Sequence, residues 1–275
     1  MPSTDLEFAA RLADIADELA LARFGALDLR VETKPDLSPV TETDKAIEKA
    51  LRERIAAERP GDSVLGEEEG LSGESRSGGE GGRRWILDPI DGTRNYSRGI
   101  PIFATLIALE VDGEVELGFA SAPALGRRWW AERGKGAFRS DGPIHVSGVK
   151  KLEDATTSIG FGHRMKISSV ARLEDAVVSF ELGEGIQRLA PLAARAWHTR
   201  SFGDFWQHML VAEGSVDVAI DPAVKIWDCA PLKLIVEEAG GKFTDLAGRP
   251  TIDGGSGVSS NGLLHAETLG VLGAK

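Results

Sequence analysis

Two carboxylates stand three residues apart in Trp85-Ile86-Leu87-Asp88-Pro89-Ile90-Asp91-Gly92-Thr93, directly after an apolar run. Trp85-Ile86-Leu87 reads as a short buried strand, and Pro89 and Gly92 are turn residues that would close it. Proline fixes its own φ and pushes the residue before it towards extended geometry. Asp88, Asp91 and the Ile90 carbonyl could therefore face one point. A hard cation such as Mg2+ accepts that set of oxygens, and the Thr93 hydroxyl could orient a water beside it. The segment is equally open to reading as ordinary turn chemistry.

Four other acidic positions fall at the ends of expected elements. Asp44 sits in the first turn of a helix, where a carboxylate either serves a site or favours the helix dipole. Glu67 follows Gly66 at a strand end, within a run of glutamates that could equally be solvated surface. Asp228 begins a helix and Asp221 lies just past a strand, so a cap and a turn are the plain alternatives. Such carboxylates converge only in a folded cleft, and a cleft with that much like charge is unstable unless cations fill it. The five histidines are scattered and Cys229 is alone, so no zinc spacing exists. Oxygen-only ligands point to Mg2+, with Mn2+ as a substitute.

Helices and strands must bring these residues together. Leu6, Ala9, Ala13, Ala16, Ala20 and Phe24 recur at helical spacing up to Gly25. A second helix opens at Thr41, with Ile47, Leu51 and Ile55 on one face, and strand 63–65 follows. Residues 71–84 read as a mobile connection, and 102–111 and 114–122 as a hairpin about Asp112-Gly113. Further strands are expected at 127–133 and 137–138, which makes the first half an α+β layered unit. From about residue 150 strands and helices alternate. Strands fall at 156–160, 199–202, 216–220, 242–244 and 258–260; helices fall at 170–180, from 203 to about 213, at 228–239 and from about 263. That alternation predicts an α/β unit with mostly parallel pairing. Two subdomains, 1–150 and 151–275, would meet at the site.

The 275 residues carry a formal charge of −11, which argues against nucleic-acid partners and anionic membrane surfaces. An acidic enzyme handling a phosphorylated substrate then needs metal or a local basic group. A single cysteine rules out an internal disulfide and suits a reducing compartment. No secretory signal and no apolar stretch of spanning length is seen, so a cytoplasmic location is expected.

Gly66-Glu67-Glu68, Asp88-Pro89-Ile90-Asp91-Gly92-Thr93 and Trp227-Asp228-Cys229-Ala230 together resemble the signature of the inositol monophosphatase family. Thr41-Glu42-Thr43-Asp44 and Gly134-Lys135-Gly136-Ala137-Phe138 match too, in order, from about residue 33 to residue 262. The resemblance implies a five-layered αβαβα sandwich, Mg2+-dependent phosphomonoester hydrolysis by a metal-activated water, two or more ions, and commonly a homodimer. It also implies roles. Glu67, Asp88 and the Ile90 carbonyl would hold the first metal; Asp88, Asp91 and Asp228 the second. Glu67 and Thr93 would orient the water, with Asp44 supporting Thr93, and Lys34 would lie near the metals. Paired cations stabilise both the attacking and the leaving oxygens, and the Gly92 and Thr93 amides could hold the phosphate.

Within the family the chain most resembles the histidinol-phosphatase branch, through residues 33–41, 121–125, 127–130, 202–205 and 211–217. The loop that contacts inositol elsewhere in the family falls here at Gly203-Asp204-Phe205. Asp204 and Asp221 would suit the ammonium and imidazole of histidinol phosphate, and Arg200 could pair with either carboxylate. Asp204 as a helix N-cap is the alternative. Trp129 and Trp130 read more simply as core and interface. Pro231 departs from the family pattern, though it would be tolerated in a helix first turn, and residues 161–169 fit the branch less well. The expected substrate is a small phosphate ester, foremost histidinol phosphate. Inositol 1-phosphate or a broader set of sugar phosphates comes next, and a non-catalytic interaction protein is the contrasting class.

Overall fold

The computed structural model describes residues 4–35, 38–73, 82–160 and 184–273, with residues 184–188 described by their backbone alone. Helix α1 (Thr4–Arg23) leads to the short strands β1 (Val31–Thr33) and β2 (Pro39–Thr41) and to helix α2 (Glu42–Glu58). Strands β3 (Ser63–Gly66), β4 (Gly70–Ser72) and β5 (Arg83–Asp91) precede the short helix α3 (Thr93–Ser97). Then come β6 (Ala104–Val111), β7 (Glu114–Ala122), β8 (Arg127–Glu132), β9 (Ala137–Arg139) and β10 (Gly142–Ile144). The remainder is β11 (Thr156–Ile159), α4 (Glu184–Arg195), β12 (His198–Arg200), α5 (Asp204–Ala212), β13 (Val218–Asp221), α6 (Ile226–Glu238), β14 (Lys242–Thr244), β15 (Gly257–Ser260) and α7 (His265–Val271). The expected helix at 170–180 and the segment 161–169 lie outside the described residues.

Two sheets separate three helical layers. The first has the order β10-β9-β8-β7-β6-β5-β3-β4 and the second β12-β11-β13-β15-β14. Side chains alternate across each strand, and the cores follow that alternation. Trp85, Leu87, Ile107, Leu109 and Phe119 pack under Phe8, Leu12, Ile47 and Leu51 of α1 and α2. Ile86, Leu106, Ala108, Ala120 and Trp129 point the other way, onto Phe205 and Met209 of α5 and Ala230 and Ile235 of α6. Ile159, Val218, Ile220 and Val258 of the second sheet meet Leu192 of α4 and the residues Leu264 and Leu272 that flank α7. This is the five-layered αβαβα sandwich.

The second sheet is mixed rather than mostly parallel. β11 runs parallel to β12 and β13, whereas β15 is antiparallel to both β13 and β14. Parallel strands need a long crossover, which α6 supplies between β13 and β14. No helix separates β14 from β15, so that pair is free to run antiparallel. Pro231 also differs from expectation, because α6 starts at Ile226 and the proline sits beyond its first turn. A Cβ on Gly118 of β7 would lie 2.5 Å from the Pro231 carbonyl oxygen, so α6 presses its backbone onto the first sheet there.

Candidate active site

The Asp88-Pro89-Ile90-Asp91 segment is the end of a strand, not the turn expected from its proline. β5 continues to Asp91, and its register with β6 slips between the pairs Asp88–Leu106 and Asp91–Ala104. Three steps along β5 thus match two along β6, which is a β-bulge. The bulge decides where the carboxylates point. Residues three apart on a regular strand face opposite sides, but the extra residue lets Asp88 and Asp91 both face α5 and α6. Ile90 turns its side chain into the core with Leu87. Pro89 gives up no ladder bond at such a position, and its carbonyl accepts the Thr105 hydroxyl at 2.8 Å. The chain turns at Gly92, whose φ of +82° and closeness to the Ile102 carbonyl, 2.9 Å from a Cβ there, leave room for glycine alone.

Asp88, Asp91 and Asp228 bring carboxylate oxygens within 4.8 Å of one another. Asp228 reaches the cluster from the first turn of α6, with its Oδ2 accepting the Lys225 backbone N–H at 2.7 Å. Asp91 Oδ2 accepts the backbone N–H of Phe205, at the start of α5, at 2.6 Å. Burial pushes Asp88 and Asp91 well above the usual carboxylate range. The charges of Glu67, Asp91 and Asp228 add to the shift at Asp88, and those of Asp204 and Asp228 to that at Asp91. Asp228 is raised in the same way, by burial and by Glu67. Asp88 Oδ1 is buried with no hydrogen-bond partner. An orphaned buried carboxylate oxygen facing two more carboxylates fits a hard divalent cation, and the oxygen-only donor set fits Mg2+.

Glu67 stands just past β3, with its backbone N–H on the Leu87 carbonyl at 3.2 Å. Its Oε1 accepts Lys34 Nζ at 2.7 Å, and Glu68 Oε1 accepts the same ammonium at 2.7 Å. Lys34 is therefore part of the cleft. Glu68, which the motif reading gave no role, is raised to about 7 by burial. Asp44 fills both of its alternative roles, one per oxygen. Its Oδ2 accepts the Thr41 backbone N–H at 2.9 Å in a capping box, and its Oδ1 lies 3.1 Å from Thr93 Oγ1. Thr93 Oγ1 is also 2.9 Å from the Ile90 carbonyl, so its single proton has two acceptors. Burial raises Asp44 to about 6.

Asp204 and Asp221 lie beyond the cluster. Asp204 is not the N-cap of α5, a position that Gly203 takes without a side-chain bond. It adopts φ +49°, uncommon for a residue with a side chain, and its Oδ2 accepts Asn95 Nδ2 at 2.9 Å. Burial and the charge of Asp221 raise it to about 6. Asp221 ends β13 as a buried residue, its Oδ2 accepting Gln207 Nε2 at 2.6 Å and facing His208 Nε2 at 3.0 Å. His208 Nδ1 lies 2.7 Å from Ser259 Oγ, and Gln207 Oε1 accepts the Ser158 hydroxyl at 2.7 Å. A Cβ on Gly160 would stand 1.6 Å from Asp221 Oδ1, so glycine makes room for this carboxylate.

Arg200 is not brought into the cleft. It ends the edge strand β12, exposed, and among the described residues it forms no ion pair with Asp204 or Asp221. An edge strand leaves a long side chain free to follow solvent. Trp129 is core, donating its indole N–H to Glu213 at 2.6 Å, while Trp130 stacks with Phe119 and Phe138 on the other face. Asn95, Gln207 and His208 carried no sequence signal, since each acts only through a distant partner. Glu48 and Arg52 had one: with Asp44 they form a polar row every fourth residue beside the apolar face of α2.

A model of the inositol monophosphatase family matches residues 1–273. The chain is 48% identical over 280 residues to the histidinol-phosphatase of Mycobacterium tuberculosis, covering 100% of both chains. It is 46% identical over 277 residues to that of Streptomyces coelicolor, covering 98% of this chain and 96% of the relative. The solved structure of the extragenic suppressor protein suhB from Bartonella henselae superposes with a TM-score of 0.85 at 29% identity, covering 98% of each chain.

Proposed function

The chain belongs to the inositol monophosphatase family, and on that premise we propose that it hydrolyses histidinol phosphate to histidinol and phosphate with Mg2+. The observation that carries the substrate is the second pair of carboxylates. Asp204 and Asp221 lie past the Asp88–Asp91–Asp228 cluster, each held in place by a neutral side chain. A phosphate ester with a cationic tail is complementary to that pair, because charge-assisted hydrogen bonds are the strong ones. A neutral polyol would leave both carboxylates without a matching charge. The histidinol-phosphatases among its relatives support the same substrate.

Bound Mg2+ supplies charge neutralisation of the phosphoryl oxygens and a more acidic water. Asp88, Asp91, Asp228, Glu67 and the Ile90 carbonyl would hold it, as two or more ions that Mn2+ can replace. The chain does the positioning, and phosphoryl transfer needs little else. Asp44 accepts the Thr93 proton, which leaves a lone pair of Thr93 Oγ1 free to accept from, and so orient, a water on its way to phosphorus. Gly92 lets the chain turn there so that its amide and that of Thr93 can face the phosphate. Lys34 offsets the charge of Glu67 and Glu68. Two working halves, 1–150 and 151–275, a homodimer, and a cytoplasmic location complete the proposal; among the described residues no helix is long and apolar enough to cross a membrane.

Growth of a histidine auxotroph lacking histidinol-phosphate hydrolysis tests the reading. The wild-type gene is expected to restore growth and the Asp91→Asn gene to fail. Rescue by both would remove catalysis from the account, and rescue by neither would remove the substrate.

A further inference from the structure

Glu48 is fully buried on α2, and among the described residues its carboxylate bonds to the turn after β3 and to Arg52. Its Oε2 accepts the backbone N–H of Glu68 at 2.7 Å, and its Oε1 that of Glu69 at 2.9 Å. Arg52, one helical turn on, donates to the same Oε1 from Nε at 2.9 Å and from a terminal nitrogen at 2.7 Å. Arg52 also reaches the Gly70 carbonyl and the Ser72 hydroxyl, each at 2.6 Å. The turn joining β3 to β4 is thereby fastened by both inner amides and by its closing carbonyl to one ion pair. Consecutive amides around an anion form a nest, and here the anion belongs to the protein. A Cβ on Gly66 would lie 2.2 Å from Glu48 Oε1, so glycine at this position makes room for the carboxylate.

That turn carries Glu67 and Glu68, both of which meet Lys34. A buried carboxylate is costly and persists where a charged partner and hydrogen bonds offset its desolvation; here Arg52 and two backbone amides do so. We propose that Glu48, with Arg52, is a positioning residue that aims Glu67 into the carboxylate cleft and thereby sets the affinity of the protein for its divalent cation. The proposal rests on the reading of Glu67 as a cation ligand.

Calorimetric titration of the full chain with Mg2+, paired with the Mg2+-induced rise in melting temperature, tests it. Glu48→Gln keeps the shape but turns a donor towards the amide nest. It is expected to weaken Mg2+ binding about tenfold, as lost supporting bonds around a metal do. The metal-free protein should still melt cooperatively, and kcat at saturating Mg2+ should stay near wild type. A merely structural role would lower the melting temperature and leave Mg2+ affinity alone, and that result overturns the proposal. Should Glu48→Gln fail to fold, Arg52→Lys keeps the charge and loses the fork; weaker Mg2+ binding supports the proposal and unchanged binding overturns it. Glu67→Gln separates the two readings. If it leaves Mg2+ binding intact, the ligand assignment itself fails and the proposal with it. If it weakens binding while the folded Glu48 variant does not, only the positioning proposal fails.

Discussion

Asp88, Asp91 and Asp228 are aimed by backbone, whereas Asp204 and Asp221 are aimed by side chains. At the first end of the cleft a bulge in β5 and the opening turn of α6 present the carboxylates, and backbone amides of Phe205 and Lys225 hold Asp91 and Asp228. At the second end Asn95 holds Asp204 from α3, and Gln207 and His208 hold Asp221 from α5. A backbone device tolerates little change and fixes a reaction. A side-chain device can be altered one residue at a time, which suits the part of the cleft that chooses a substrate.

Breaking the backbone-held end should abolish turnover whatever the ester. Asp91→Asn is expected to lower kcat about a thousandfold for histidinol phosphate and for inositol 1-phosphate alike, the upper range for losing one electrostatic group. Steady-state kinetics on both esters checks it, and a loss confined to one ester would dissolve the distinction between the two ends.

Breaking the side-chain-held end should be selective. Asp204→Asn removes a charge-assisted contact, usually worth about 1.5–3 kcal/mol, so KM for histidinol phosphate should rise roughly 10- to 100-fold with kcat retained. KM for inositol 1-phosphate should hardly move. The pH dependence sharpens the same point. Burial and Asp221 keep a proton on Asp204 up to about pH 6, so its charge is present only above that value. The preference of wild type over Asp204→Asn for histidinol phosphate should therefore fall about tenfold between pH 7 and pH 5. Ionisation of the substrate is common to both proteins and cancels in that ratio.

Removing Mg2+ with a chelator tests the backbone-held end through stability. Asp88, Asp91 and Asp228 have folded pKa values above their unfolded ones, so the folded chain binds protons more tightly. Stability of the metal-free protein is then present at low pH and lost as pH rises through the raised values, near 7 for Asp228. Calorimetry from pH 5 to 8 should show a melting temperature that falls by several degrees without Mg2+ and much less with it. The smallest effect should come from His208→Phe, which removes one of two supports of Asp221. A rise in KM for histidinol phosphate of about threefold is expected, the low end for one lost hydrogen bond because Gln207 still holds Asp221, with inositol 1-phosphate unaffected.

The same contrast explains what the sequence disclosed. Asp88, Asp91, Glu67 and Asp228 lie in short contiguous runs whose turn and cap residues are visible, so their convergence could be anticipated. The bulge could not, because Pro89 and Gly92 signal a turn as readily as an irregular strand, and only pairing with β6 decides. Asp204 and Asp221 were visible as acids, but Asn95 stands 109 residues from Asp204 and no local pattern links them. Arg200 is exposed at the end of β12, and nearness along the chain to Asp204 does not by itself say where a long side chain points. The mixed second sheet escaped too, since the alternation of strands and helices does not reveal that β15 inserts between β13 and β14.

The central claim is that a cation-binding reaction centre is joined to a pocket for a positively charged ester. The most direct measurement is kcat/KM of the purified protein with Mg2+ for histidinol phosphate and for inositol 1-phosphate under one set of conditions. A preference of at least about a hundredfold for histidinol phosphate is predicted, the scale of one charge-assisted contact worth up to about 3 kcal/mol. Equal values for the two esters would contradict it.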